Sequence, residues 1–424
     1  MSVSRRSCRE RGDRDGGIRG RPCTYRGKLV LLLSLAGIIN YADRQIIAIL
    51  KPLIEHSVGW TDATYGTIVA AFQLATAISC LFVGEIVDRI GVKWANPLSV
   101  GSFSIISTAH ALARTTAQFV IARTGLGVTE ALAAPAVIKT VGECFAPERR
   151  ARALGVINAS NSLGAILTPL IVPAVAVGVG WRAAFVVVGG VGVAWTVAWL
   201  FAMRGFKART RAVTAPMTGW RRRYAALLRQ RRTWAILGAK ALIDQVWWLL
   251  LFWTPDLLHR QFGLSVESMG VPLAAIYAAA IVGSICGGWA SSRLISGGMS
   301  ILAGRYAVMM VCAAIAMSLW GVTDVHALWY VVALLALGIV AHQGFSVNLF
   351  ALITDVIEPN LVGTVTSLGA LTGNLAGMAV VWLIGVHLSA GGHYAPFLIF
   401  AALSFPLALL CLRLLLPAPT RVRR

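Results

Sequence analysis

The chain has 424 residues, 57% of them hydrophobic and only 13% charged, with a formal net charge of +21. A soluble domain carries about 25% charged residues, so this composition excludes an ordinary soluble enzyme and points to a polytopic membrane protein. The positive excess does not call for nucleic acid: residues 1–28 hold nine Lys/Arg against three acids, residues 204–233 hold ten Arg/Lys and no acid, and both stretches flank apolar spans, where cytoplasmic loops concentrate such residues.

Residues 1–27, rich in Arg and Gly, read as a basic disordered tail. The first span follows from Lys28 to Leu50, too long for a signal peptide and followed by further spans, so it stays as an uncleaved helix. Asp43 and Arg44 sit well inside it. A charge at that depth costs roughly 2.5–3.5 kcal/mol even on the lenient insertion scale, and such residues usually face a bundle interior and mark a substrate or ion path. An Asp–Arg pair that only locks helices is the alternative. It is the weaker one, because neighbours on a helix point about 100° apart and satisfy each other poorly.

Apolar runs then recur at roughly 64–87, 95–113, 117–138, 152–177 and 183–203, and again at 234–258, 268–291, 301–322, 327–353, 364–387 and 394–415. The fold class is therefore an all-α polytopic membrane protein with twelve transmembrane helices in two six-helix bundles, 28–203 and 234–416, joined by a basic cytoplasmic linker at 204–233 and ended by a basic tail at 417–424. An even number of spans with a cytoplasmic start puts both termini inside. The loops agree: Arg89, Lys93, Arg149, Arg150, Arg152, Arg293 and Arg305 fall on one side, with only Lys51, Arg114, Arg182 and Arg260 on the other. One weak internal echo links the halves, Gly84 and Arg89 recurring at the same offset as Gly288 and Arg293. The seven cysteines are scattered, which suits reduced thiols.

Gly84, Asp88, Arg89, Gly91 and Lys93, spaced as GxxxDRxGxK between spans 2 and 3, resemble the signature of the major facilitator superfamily. Its glycines permit close helix approach, and Asp88 and Arg89 are placed to lock a cytoplasmic gate. Asn40–Gln45 in span 1 and Arg123–Ala131 in span 4 are similar to motifs of the anion:cation symporter branch. Lys240–Trp248 with Phe252–Pro255 in span 7, and His342–Phe350 in span 10, resemble its hexuronate transporters. The likeness runs from Lys28 to Leu416. It has departures: Thr76 where many members carry Tyr, Glu85 after the span-2 glycine, and Glu148-Arg149-Arg150 after span 4.

Arg123 and Glu130, seven residues apart, look towards one side of span 4, either as a structural ion pair or as working groups. Carboxyls lining a partly dry cavity are suited to loading a proton on one side and losing it on the other, and the resemblance assigns proton coupling to the same two acids, Asp43 and Glu130. Arg44 and Arg123 offer a planar fork for a carboxylate, and Lys240 adds a cation that Asp244, one turn on, either neutralises or leaves for substrate. Sugar hydroxyls need partners among Gln73, Asn158, Asn161, His342, Gln343, Asn348 and Asn374, led by Asn161 and Asn348. Each has the competing account of helix–helix glue, worth ~0.6 kcal/mol. The resemblance places Trp247 and Trp248 beside them. Trp60, Trp181 and Trp329 read as interface-belt residues, and Asp62, His259, His326, His387 and His393 as solvated loop positions.

There is no phosphate loop, nucleophile elbow or metal-like cluster, hence no catalytic residue, cofactor or metal is expected. The expectation is a monomeric, proton-coupled symporter of the bacterial inner membrane that imports a small organic anion, foremost a hexuronate, by alternating access. Partners are the anion, the proton and the bilayer, without nucleic acid. The alternatives are another carboxylate (aldonate, glucarate, an aromatic acid), a non-transporting anion sensor of the same fold, and an uncoupled channel.

Overall fold

A computed structural model describes residues 23–145, 147–204, 225–358 and 361–416, which form helices and no strand. The expected N-terminal tail (up to residue 22), most of the central linker and the C-terminal tail lie outside the described residues. The first half comprises α1 (Cys23–Ile49), α2 (Lys51–Val58), α3 (Asp62–Ser79), α4 (Val83–His110), α5 (Thr116–Glu130), α6 (Ala133–Cys144), α7 (Pro147–Val179) and α8 (Trp181–Ala202). The second comprises α9 (Arg231–Phe262), α10 (Gly270–Ser296), α11 (Ile301–Ala316) with a 3-10 turn (Met317–Gly321), α12 (Leu328–Val356), α13 (Val362–Ser389) and α14 (Ala395–Leu415).

Ten helical segments among the described residues are long and apolar enough to cross a membrane, α5 and α6 together forming one of them. The difference from the twelve expected lies in spans 2 and 3. Helices α3 and α4 pass only jointly, bent by 79°. The bend falls between Ser79 and Val83; beyond it Glu85, Asp88, Arg89 and Lys93 make the start of α4 polar, and Gly91 breaks that helix separately at φ 72°, ψ 166°. That left-handed backbone is open to glycine and strained for other residues. The motif glycine thus marks a kink inside α4 that follows its charged first two turns.

With no hydrophobic drive between helices in lipid, small residues set who packs on whom. Within the first half α1 lies on α7, where a Cβ on Gly164 would stand 2.9 Å from the Ile38 backbone. Within the second half α10 lies on α12, where a Cβ on Gly283 would stand 2.5 Å from the Val340 carbonyl. The halves meet along α3–α13, α7–α10 and α1–α9. Gly66 of α3 admits the Val381 carbonyl at 3.0 Å and Gly270 of α10 the Pro169 carbonyl at 2.6 Å, each measured from a built Cβ. Both approaches lie towards the end of the bundle where α1 finishes and α3 begins.

Hydrogen bonds between the halves gather at that same end. Tyr65 donates to the Phe252 carbonyl (2.9 Å) and the Ala63 N–H to Ser389 Oγ (2.7 Å). At the opposite end the ion pairs among the described residues stay within one half, Lys139–Asp88 (3.0 Å) in the first and Arg305–Asp355 (3.3 Å) in the second. The molecule is closed at one end of its central axis.

Candidate functional site

One turn of α1 aims its side chains in two directions. Asp43, fully buried, turns towards α4 and α5, where the Ser107 hydroxyl and Arg123 face it. Arg44 turns the other way, and its Nε donates to Glu130 Oε2 of α5 at 2.5 Å. The guanidinium lies 5.8 Å from the Tyr41 ring centroid and 5.7 Å from that of Trp248 on α9. Trp247 stacks on His342 of α12 at 5.4 Å and meets Tyr41 edge-on at 6.4 Å. The charged pair of one half is thereby roofed by aromatic rings of the other.

Arg44 and Glu130 differ in exposure: the guanidinium side chain is 19% accessible, the carboxylate 0%. Arg123 is fully buried; NH1 donates to the Asp43 main-chain carbonyl (3.4 Å), and Nε and NH2 have no hydrogen-bond partner. Among the described residues no carboxylate lies within ion-pair distance of Arg123, so the Arg123–Glu130 pairing that the seven-residue spacing allows is not made. With both acids ionised, Asp43 and Glu130 balance Arg44 and Arg123, a state the low-dielectric interior favours.

The remaining expected residues separate by position. Lys240 is buried and bonded to Asp244 Oδ2 and Oδ1 (2.7 and 2.8 Å), with its ammonium 4.3 Å from the Phe350 ring centroid. Asn161 is half-buried at the α1–α7 contact, its Oδ1 against Gly37. Gln343 is half-buried next to His342, whereas Asn158 is exposed. Asn348 is fully buried, and its amide donates to the Gly287 (3.0 Å) and Gly344 (2.9 Å) carbonyls, clamping α10 to α12. Asn374 likewise donates to its own helix, at the Ala370 carbonyl (2.8 Å). Gln73 is fully buried, and Thr76 bonds the Phe72 and Gly127 carbonyls (2.9 and 3.3 Å).

In the motif between spans 2 and 3, Asp88 does not pair with Arg89. Lys139 of α6 takes Asp88 and also donates to the Val87 and Asp88 carbonyls, each at 3.0 Å, while Arg89 pairs with Glu85. The close helix approach expected of the motif glycines is not made: Gly84 and Gly91 both face open space, Gly91 serving instead as the break, and Lys93 lies over the Trp94 ring at 5.7 Å.

Sequence reasoning missed one cluster outright. Lys51, Arg260 and Asp62 were expected in solvated loops, but Lys51 is 1% exposed and Asp62 is buried. The Lys51 ammonium bonds Asp256 Oδ1 (2.5 Å), Asp62 Oδ1 (2.9 Å) and Glu55 Oε2 (3.0 Å). Arg260 closes the ring on Asp62 (2.5 Å) and Asp256 (2.6 Å), and the Tyr394 hydroxyl donates to Asp256. Burial by itself would lower the Lys51 ammonium, but the Asp256 and Asp62 carboxylates outweigh it and raise it above its ordinary value. The available signal was Asp256, an acid inside the apolar run of α9 that needs a buried partner. Trp60 is also corrected: it is buried and set edge-on to Phe119 at 4.6 Å, not lipid-facing. Trp181 is buried under the Arg182 guanidinium (4.1 Å), and Trp329 is exposed as a belt residue would be.

Residues 33–381 match the family model of the Major Facilitator Superfamily. A hexuronate transporter of Bacillus subtilis (strain 168) is 28% identical over 400 residues, covering 92% of this chain and 94% of that protein. The hexuronate transporter of Escherichia coli (strain K12) is 24% identical over 88% of this chain and 90% of its own length. A "Probable L-galactonate transporter" of Escherichia coli (strain K12) is 26% identical over 65% of this chain, the match spanning 64% of that protein's length. The crystal structure of a bacterial homolog to the human lysosomal transporter Spinster, inward-facing and occupied, superposes with a TM-score of 0.73 at 18% identity, covering 93% of this chain and 96% of that one.

Proposed function

As the chain belongs to the major facilitator superfamily, and is thus a membrane transporter and not an enzyme, we propose that it imports a hexuronate, glucuronate or galacturonate, together with a proton. The observation that carries this reading is the Arg44–Glu130 pair, its guanidinium partly accessible and its carboxylate beside the buried Asp43 and Arg123. Admitting a carboxylate alone would leave that interior one negative charge in excess, a costly state. Admitting it with a proton keeps the sum at zero.

The chemistry follows from which atoms compete. Glu130 Oε2 holds Arg44 Nε, the more accessible member of the pair. A proton on Glu130 discharges the carboxylate and frees the guanidinium to take the substrate carboxylate in a two-point grip. Tyr41, Trp247 and Trp248 supply flat surfaces for the CH face of a sugar ring, and His342 a polar edge. Asp43, buried and beside Arg123, serves as the second proton carrier. Loss of the proton lets Glu130 reclaim Arg44 and expel the anion. One proton per monoanion is electroneutral, so a pH gradient alone drives it.

Alternating access requires the halves to part where they now touch, at the Lys51 cluster and along α3–α13 and α7–α10. We place this closed end outside, at the bacterial inner membrane with both termini cytoplasmic, as the distribution of basic loops indicates. The test is uptake of labelled glucuronate and galacturonate into proteoliposomes, with and without an inward proton gradient, by the wild type and Glu130→Gln. Gradient-driven accumulation that the variant loses while keeping counterflow supports the reading. A folded wild type that takes up neither sugar acid sinks it.

A further inference from the structure

A second ion pair, Lys240–Asp244, lies on α9, and its two members are not equivalent. The Lys240 side chain is 6% exposed and its ammonium rests over Phe350 (4.3 Å), whereas the Asp244 side chain is 18% exposed. The acid, not the cation, is the accessible member, the reverse of Arg44–Glu130, where the cation is.

Three successive turns of α9 are seated by α13. A Cβ on Gly369 would touch Lys240 Cγ at 3.1 Å, one on Gly373 would overlap Asp244, and one on Gly377 would overlap Trp248. Asp244 and Trp248 therefore share one face of α9, about 6 Å apart along the axis. The Trp248 ring also carries the Arg44 guanidinium, 5.7 Å from its centroid. Arg44 over the Trp248 ring and Asp244 one turn away on the same helix face set a fixed cation of one half and a fixed anion of the other near one aromatic residue.

A carboxylate has two oxygens with about four lone-pair directions. Lys240 reaches both oxygens, at 2.8 and 2.7 Å, which pins the group and leaves acceptor capacity on each. Such a group suits a pair of neighbouring hydroxyls, each donating to one oxygen. It also penalises what it does not fit. A carboxylic acid without hydroxyls would strip water from Asp244 and return nothing, and a second carboxylate would meet a like charge.

Resting on the hexuronate reading above, we propose that Asp244 is a specificity-determining residue that accepts hydrogen bonds from the hydroxyls of a polyhydroxy monoacid, with Lys240 as the residue that positions it. The substrate carboxylate sits on Arg44, its ring on Trp248, and its hydroxylated end on Asp244. Lys240 then contacts no substrate, in contrast to the direct role its charge alone suggests.

The test is equilibrium binding to the purified full chain, followed by tryptophan fluorescence, with D-glucuronate, cyclohexanecarboxylate (a ring acid without hydroxyls) and D-glucarate (a diacid). The wild type is expected to favour glucuronate over each of the others by at least about ten-fold, as a site built to bond hydroxyls does. Asp244→Asn should weaken glucuronate by about ten-fold or more and leave cyclohexanecarboxylate within about two-fold, while glucarate improves. Retained cyclohexanecarboxylate binding shows that the variant is folded. Asp244→Glu, which keeps the charge, should recover part of the preference. Equal loss for glucuronate and cyclohexanecarboxylate, or an unchanged ratio, overturns the role of Asp244 and leaves the hexuronate reading standing. A wild type that binds none of the three overturns both.

Discussion

Two clusters of opposite charges can be set side by side. At the centre, Arg44 and Glu130 belong to the same half and hold each other through one 2.5 Å contact. At the closed end, Lys51, Glu55 and Asp62 come from one half and Asp256, Arg260 and Tyr394 from the other, so that two cations meet three carboxylates across the seam. An ion pair inside one rigid half can exchange its partner for a ligand without moving the halves. One that crosses the seam breaks only when the halves part. In the proposed mechanism the location of a salt bridge, more than its length, separates a binding element from a gate.

The largest expected effect breaks the gate. Lys51→Met leaves Asp62 and Asp256 buried with only Arg260 to oppose them, and removing one partner of a buried pair costs about 3–5 kcal/mol. Spin labels at Ser57 and Ser265, exposed positions on the two halves near this end, should move apart as the closed population falls. An unchanged distance distribution would show that packing along α3–α13 holds the end shut by itself. Next comes Glu130→Gln. It should abolish proton-driven accumulation, a drop of about 100-fold or more, and leave the same spin-label distance as in the wild type. A shifted distance would mean that the centre and the gate are one unit, which would collapse the distinction between them.

Smaller effects sharpen the contrast. Arg44→Lys keeps the charge but loses the planar fork, so substrate affinity should fall by about ten-fold, measured by counterflow, with the gate untouched. Asp62→Asn removes one of three carboxylates around two cations; the opening should be detectable and well short of that in Lys51→Met. The pH dependence is the least of these. Because Lys51 is raised in the folded state, its contribution is fully present below the ordinary lysine range and is lost as pH climbs through the raised value. The spin-label distance should therefore hold steady through neutral pH and lengthen only under strongly alkaline conditions. Opening at mildly alkaline pH would mean that Lys51 is not the bolt.

Much of the site was legible because charges inside apolar runs announce themselves. Asp43, Arg44, Arg123 and Glu130 stood out for that reason, and the structure brings them together, three of them buried and Arg44 19% exposed. Their pairing was not legible. A seven-residue spacing puts Arg123 and Glu130 on one side of α5, yet Arg44 from α1 reaches Glu130 first and leaves Arg123 against a main-chain carbonyl. The polar residues of α12 show the same limit. His342 and Asn348 lie on one helix, but the first stacks on Trp247 while the second spends its amide donors on the Gly287 and Gly344 carbonyls. Lys51 and Asp62 were misjudged for the converse reason: at the edge of a span, sequence does not distinguish a solvated charge from one covered by the opposite half.

By itself the sequence determined the membrane class, the all-helical polytopic fold and the placing of four charges inside apolar runs, because hydropathy and desolvation cost act residue by residue. Only the tertiary structure decided which acid meets which base, which asparagine is glue, and that Lys51 bolts one half to the other. Those outcomes depend on which helices lie face to face, and that is set by close approaches at Gly66, Gly164, Gly270 and Gly283 between segments far apart in the chain.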